Sequence, residues 1–322
     1  MSMLKLKASM AGTLAAIIGL STLFFTILLS LFRALDIYSL ALFIVFFNIV
    51  QWLLAPYLIE AMYRAKKVSK AEEPELYGMV EKLSKESHIQ APQLMIARIP
   101  IPNAFAYGSP LTGNRVAVTT GLLNTLDGEE VEAVIGHELG HLRHRDVQVM
   151  MFVSILPALF YYIGYSLVRS SAYTRSDERG NGGSLALIGF LSILLYWVLT
   201  LFTLYLSRLR EYFADRHSIS VVSEGNRKLS EGLVKIAEAT ERMRGRRQNF
   251  ANMSSLKTLF ISDPDSARKD LMELYQSNVW KSDQELVGKY LNRRLTAADE
   301  FAEFFSTHPN MVKRLRALQE AA

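Results

Sequence analysis

The sequence predicts a predominantly α-helical fold with a small β-sheet: a four-span membrane protein with a folded domain outside the bilayer. Three observations carry this. Half of the 322 residues are hydrophobic, and they are concentrated in four runs of the roughly twenty residues that a spanning helix needs. Basic residues flank those runs, as orientation in a membrane requires. Between the second and third runs, and again after the fourth, helical and strand periodicities replace continuous apolarity. The chain has no cysteine, which excludes disulfides and a thiolate metal site. A net charge of +5 is too small to point to nucleic acid.

In order, Lys5 and Lys7 precede an apolar run from Met10 to Phe32. It is too long for a signal-peptide core, and no small-x-small site closes it. Arg33 and Asp36 mark a turn, and Ile37–Ile59 forms the second span. Asn48, Gln51 and Pro56 within it suit packing against a neighbouring helix. Arg64, Lys66, Lys67 and Lys70 follow. Positive charge at both ends of this hairpin and little at its tip puts the next domain on the cytoplasmic side.

From Pro74 the pattern is that of a folded domain. Leu76, Val80 and Leu83 give Glu73–His88 one apolar helical face, with His88 as a polar end residue. Gln93–Ile99 and Arg115–Thr119 read as strands, and Asn103–Tyr107 between them reads from its residues alone as an ordinary loop. Asp127 is placed as an N-cap, with Glu129 and Glu130 in the first turn. Val131, Val134, Ile135, Leu139 and Leu142 continue that helix.

On this helix His137, Glu138 and His141 spell H-E-x-x-H. Residues four apart share a helix face, so both imidazoles can reach one metal ion, and Zn²⁺ suits them. Glu138, one step round, can hold an attacking water and take its proton. His144 is on the same face as His137 but about 10 Å further along the axis, too far to share its metal. Downstream, Glu211 and Asp215 are four apart in Ser207–Asp215; alone they would be a solvated pair balanced by Arg208 and Arg210. His217 turns away from Glu211 and reads as structural.

Two further runs, Val147–Val168 and Leu185–Leu206, separate these segments. Each has 22 residues, about 33 Å as a helix. Arg169–Gly183 between them is a connector rich in Ser, Gly and Arg. Crossing out and back returns the chain to the side it left, so Glu211 can join His137 only if both runs cross or neither does. Beyond Ser218, Leu229, Leu233 and Ile236 mark an amphipathic helix, and Arg242, Arg244, Arg246 and Arg247 a basic turn. Asn249–Tyr290 has no readable pattern. Val312, Leu315 and Leu318 line a final helix.

H-E-x-x-H followed by Ser207, Arg208, Arg210, Glu211, Ala214 and Asp215 resembles the membrane gluzincins related to the heat-shock protease HtpX and the prenyl-protein endopeptidases. Asn103-Ala-Phe-Ala and Thr307-His-Pro-Asn, followed by Arg314 and Leu318, extend the likeness from about Pro74 to the end. The resemblance implies a zincin-type metalloprotease domain at the cytoplasmic face, with one Zn²⁺ held by His137, His141 and Glu211. It implies Glu138 as general base, Asp215 as the acceptor fixing His137, and His308 and Asn103 as donors to the oxyanion, with Arg314 positioning this region. The expected organisation is a hairpin over 1–70, a split protease domain over 71–146 and 207–322, and a second hairpin over 147–206.

Four runs and a short chain resemble the HtpX branch. This implies an endopeptidase of the cell membrane acting on misfolded or damaged membrane proteins. The alternative substrate is one dedicated protein, prenylated or signalling. A zinc transporter would place ligands inside its spans, whereas the two central runs hold no carboxylate or histidine. A non-catalytic scaffold would be expected to have lost Glu138 or a ligand.

Overall fold

The computed structural model describes residues 37–174, 182–245 and 282–321. The Met10–Phe32 run, residues 175–181 of the connector, Arg246, Arg247 and residues 249–281 lie outside the described residues. Two compact units divide the chain.

The first unit takes in Leu53–Val147 and the described residues from Ser207 onward. Helix α1 (Ile37–Tyr63) leads into β1 (Ala65–Lys67), α2 (Pro74–Glu86), β2 (Gln93–Ala97), β3 (Ala104–Ser109) and β4 (Gly113–Thr119). A short α3 (Thr120–Leu123) precedes α4 (Gly128–Arg143). Helices α5 (Asp146–Thr174) and α6 (Gly182–Val221) follow, then α7 (Gly225–Gly245), α8 (Asp283–Asn292), α9 (Ala297–Phe304) and α10 (Met311–Glu320).

The four strands form one mixed sheet in the order β1-β2-β4-β3. β2 runs parallel to β4, with Leu94 opposite Val116; β3 runs antiparallel to β4, with Ala106 opposite Val116. The loop expected over Asn103–Tyr107 is therefore a strand. Its alternation explains both the fold and the misreading. Ala104 and Ala106 point to one face, where they are too small to announce a strand but let α4 approach closely. Phe105 and Tyr107 point to the other, into a cluster with Tyr63, Met95, Ala97 and Ala117. The first face joins the main core through Leu94, Val116 and Val118, with Val80, Ile135 and Leu233 from the covering helices. β1 falls in the basic stretch read only as a membrane flank. It adds an antiparallel edge to β2 with Ala65 opposite Ala97, and its exposed Lys66 and Lys67 discourage further pairing.

A capping box between Asp127 and Glu130 opens α4. The helix stops at Arg143, and Arg145 adopts a left-handed φ of 55° before α5 begins at Asp146. That turn re-aims the chain within two residues of the H-E-x-x-H helix.

The second unit contains residues 37–52 and the described part of Gln148–Leu206. Its α5 and α6 segments hold the two central apolar runs. Among the described residues, these are the helices long and apolar enough to cross a membrane. They pack through Val153, Phe160, Leu199 and Leu206. A Cβ on Gly164 would lie 2.9 Å from the carbonyl of Gly189, and one on Gly189 would lie 3.0 Å from that of Gly164. Small residues at such a crossing let backbones approach where no water drives association. Leu187, Phe190, Leu194 and Trp197 stay exposed on the outside.

Candidate metal centre

Helix α4 and the final turns of α6, both within the first unit, supply the site. Their approach depends on Gly140, inside the H-E-x-x-H segment. A Cβ there would lie 3.0 Å from Ala214 Cα, and one at Gly136 would lie 3.0 Å from Val222 Cγ2. This contact sets the imidazoles of α4 against the carboxylate of α6. His137 Nε2 and His141 Nε2 are 3.1 Å apart. Glu211 places Oε2 3.6 Å from the first and Oε1 3.5 Å from the second. The three side chains offer ligand atoms within 4.8 Å of one another.

The donor set fits a zinc ion. A tetrahedral Zn²⁺ with bonds of 2.0–2.1 Å holds its ligand atoms about 3.3 Å apart, and these separations bracket that value. Glu211 Oε2 is also buried without a hydrogen-bond partner; the Arg314 guanidinium stands 3.5 Å from it, and a metal ion would satisfy the lone pairs this contact leaves.

The opposite edge of each imidazole is held by a carboxylate. His137 Nδ1 lies 2.9 Å from Asp215 Oδ1. Arg314, only 1% exposed, grips Asp215 through Nε at 2.7 Å and Nη2 at 2.6 Å. His141 Nδ1 lies 2.6 Å from Asp146 Oδ2, and Arg210 Nε lies 3.1 Å from the same oxygen. If each Nδ1 donates to its carboxylate, both Nε2 lone pairs point at the metal position. Burial pulls the pKa of His137 down, but the neighbouring carboxylates of Asp215 and Glu211 outweigh it and push the metal-free ring up to about 9.

Glu138 is also buried, which raises its carboxyl above the ordinary range. The backbone N–H of Ala106 donates to its Oε2 at 2.8 Å. The edge strand β3 thus fixes the carboxylate beside the imidazoles. His308 comes to the same place from the far end of the chain, its Nε2 4.0 Å from Glu211 Oε1. Its approach is built by Arg208, which donates to the carbonyls of Glu303 and Ser306 at 2.9 and 2.7 Å. Thr307 Oγ1 lies 2.9 Å from His308 Nδ1. Asn103 is buried immediately before β3, where its N–H donates to Thr119 Oγ1 and its carbonyl accepts from the Thr119 N–H.

The remaining histidines stand apart from this cluster. His144 caps α4 with Nδ1 2.8 Å from the Gly140 carbonyl. His217 lies 2.8 Å from Ser87 Oγ. His88 is exposed at a left-handed position after α2. Three functional contacts escaped the sequence reading: Asp146, Arg210 and the Ala106 N–H. The signal for Asp146 was its place five residues after His141, concealed because the helix ends between them.

Residues 70–322 match the profile of Peptidase family M48. The chain belongs to peptidase family M48. It is 38% identical over 281 residues to a protein named Protease HtpX homolog from Thermoplasma acidophilum, covering 85% of this chain and 82% of the relative. Protease HtpX homolog 2 from Saccharolobus solfataricus is 35% identical, with 89% and 86% covered. The homolog from Picrophilus torridus is 34% identical, with 95% and 94% covered. Among solved structures, the crystal structure of S. mikatae Ste24p shares the fold with a TM-score of 0.55 at 17% identity, covering 98% of this chain and 67% of that one. This M48 protein is therefore an HtpX-like metalloprotease, mostly helical with a small mixed sheet.

Proposed function

We propose that this protein is a zinc-dependent integral-membrane endopeptidase that hydrolyses peptide bonds in misfolded or damaged membrane proteins. The observation that carries the reading is the convergence of His137, His141 and Glu211 beside a Glu138 held by the β3 backbone. His137, His141 and Glu211 would hold the zinc, which when bound supplies Lewis-acid polarisation to the scissile carbonyl and the attacking water. Glu138 accepts the proton of that water and delivers it to the departing amine. Its raised affinity for a proton suits it to both transfers. Asp215, tied to Arg314, and Asp146, tied to Arg210, hold the imidazoles in one tautomer and orientation. His308 donates to the oxyanion that develops on the carbonyl, and Asn103 supports the same region from immediately before β3.

The direct test is casein hydrolysis by the purified protein in detergent. Activity should vanish with a zinc chelator and return with added Zn²⁺. Protein that stays active after metal removal would defeat the reading. His308 has its own test. His308→Ala should melt normally and keep its metal while turnover falls about 10²–10³-fold, as for loss of one oxyanion donor. Unchanged turnover would leave His308 a packing residue.

The reading extends to topology: four spans in the cell membrane, with the site on the cytoplasmic side. The chain has no cysteine, so single cysteines can be introduced without background. The positions chosen, Glu86, Ala172, Gly183 and Ser223, are exposed. A membrane-impermeant maleimide on intact cells should label 172 and 183, and reach 86 and 223 only after permeabilisation. Labelling of 86 or 223 in intact cells would place the site on the outer face.

A further inference from the structure

Helix α9 presents three aromatic rings to the outside: Phe301 is 70% exposed, Phe304 49% and Phe305 51%. They form one group, with the Phe305 ring 5.3 Å from that of Phe301 and 5.6 Å from that of Phe304. Phe301 and Phe304, three apart, share one face of the helix, and Phe305 caps its end beside them. Exposed clusters of large rings are uncommon on a soluble surface and mark a contact.

Two of the helix's three acids are paired within the protein, and the third, Glu300, is exposed at the flank of the rings beside Phe301. Asp299 takes Arg293 at 3.3 Å and closes a capping box with Thr296. Glu303 pairs with Lys313 and accepts the Asn310 N–H at 3.1 Å.

Its position says what covers it. Arg208 donates to the carbonyls of Glu303, Phe304 and Ser306. Arg208 sits two residues beyond the apolar run that ends at Leu206, about 3 Å further along the same helix axis. The headgroup layer is about 5–7 Å deep on each side of the hydrocarbon. The backbone that carries the rings is thus bonded to a residue at the very end of the apolar run.

We propose that Phe301, Phe304 and Phe305 insert into the phospholipid interface, so that α9 lies on the bilayer that the chain's own helices cross. The proposal rests on the spanning reading of α6. It assigns the protease domain a lipid-facing side next to the segment that carries His308. Phenylalanine suits this role, since an interfacial helix buries its apolar face about 5–10 Å into the headgroup and acyl boundary.

The test uses full-length protein in nanodiscs of phosphatidylcholine and phosphatidylglycerol. Single cysteines at Ala298, Phe305, Leu194 or Ser223 would carry the environment-sensitive dye NBD. Ala298→Cys lies on the α9 face and leaves all three rings in place, which guards against a label that destroys the patch. Dyes at 298 and 305 should emit to the blue, be quenched by doxyl-labelled phospholipid and be shielded from aqueous iodide, like the dye at 194. The dye at 223 should show the reverse. Iodide quenching without lipid quenching at 298 and 305, with 194 still quenched by lipid, would overturn the proposal while leaving the spans intact. Failure of lipid to quench 194 would bring down the spanning reading and the proposal with it. Shielding at 298 and 305 that appears only when casein is added would make the patch a substrate surface, and would also overturn it.

Discussion

Glu138→Gln should retain bound metal and lose about 10²–10⁴-fold in peptide hydrolysis, the range over which a positioned proton acceptor acts. The substitution keeps size and shape, and an amide oxygen can still accept the Ala106 N–H that now meets Oε2 at 2.8 Å. What disappears is the basic lone pair. Burial already lifts the Glu138 carboxyl above its ordinary range, which makes it a stronger proton acceptor than an exposed carboxylate. Glutamine cannot take part in either. The measurement is casein turnover beside metal content in the same preparation. Near-native turnover would defeat the general-base role. Loss of metal would show instead that Glu138 belongs to the ligand set. A normal melting curve is expected, because the variant leaves no charge unpaired in the core.

Much of this centre was legible because its chemistry demands fixed spacing. A spacing of four residues from His137 to His141 is a statement about helix geometry, and the N-cap pattern from Asp127 to Glu130 pointed to the same helix. Glu211 and Asp215 could be read as a ligand and its neighbour only through resemblance, since an isolated acidic pair on a helix is ordinarily solvated. Other contacts were illegible for physical reasons. Ala106 acts through its backbone N–H, which no side chain advertises. Asp146 reaches His141 only because Arg145 turns the chain through a left-handed conformation, and periodicity cannot foresee a turn that needs no glycine. β3 hid behind alanines, which carry little strand preference but leave room for α4. Arg314 was singled out by the resemblance alone; its partner is a buried carboxylate 99 residues earlier in the chain, which no local pattern reveals.

Glu211→Ala should abolish metal binding, whereas Asp215→Asn and Asp146→Asn should weaken it about 10–100-fold and still permit reloading with excess Zn²⁺. The difference follows from position. Glu211 faces the two Nε2 atoms directly, with an oxygen that has no other hydrogen-bond partner. Asp215 and Asp146 stand behind the rings instead, at the Nδ1 atoms of His137 and His141. The two aspartates differ in what else they hold. Asp215→Asn also strips the fully buried Arg314 of its bidentate partner, so it should lower the melting temperature more than Asp146→Asn, whose Arg210 is less deeply buried. Proton linkage gives a further check. The ligand is neutral imidazole, and the metal-free His137 ring titrates at about 9. Zinc entry at neutral pH must therefore expel a proton. Affinity should rise about tenfold per pH unit on approaching pH 9 and flatten above it. The linkage to folding has the opposite sign. His137 titrates higher in the fold than its ordinary 6.5, so its proton stabilises the metal-free protein fully below that value. The contribution is lost as pH rises through about 9. Isothermal titration in two buffers of different ionisation heat would count the proton released. Equal metal retention in Glu211→Ala and the native protein would mean that the third ligand lies elsewhere.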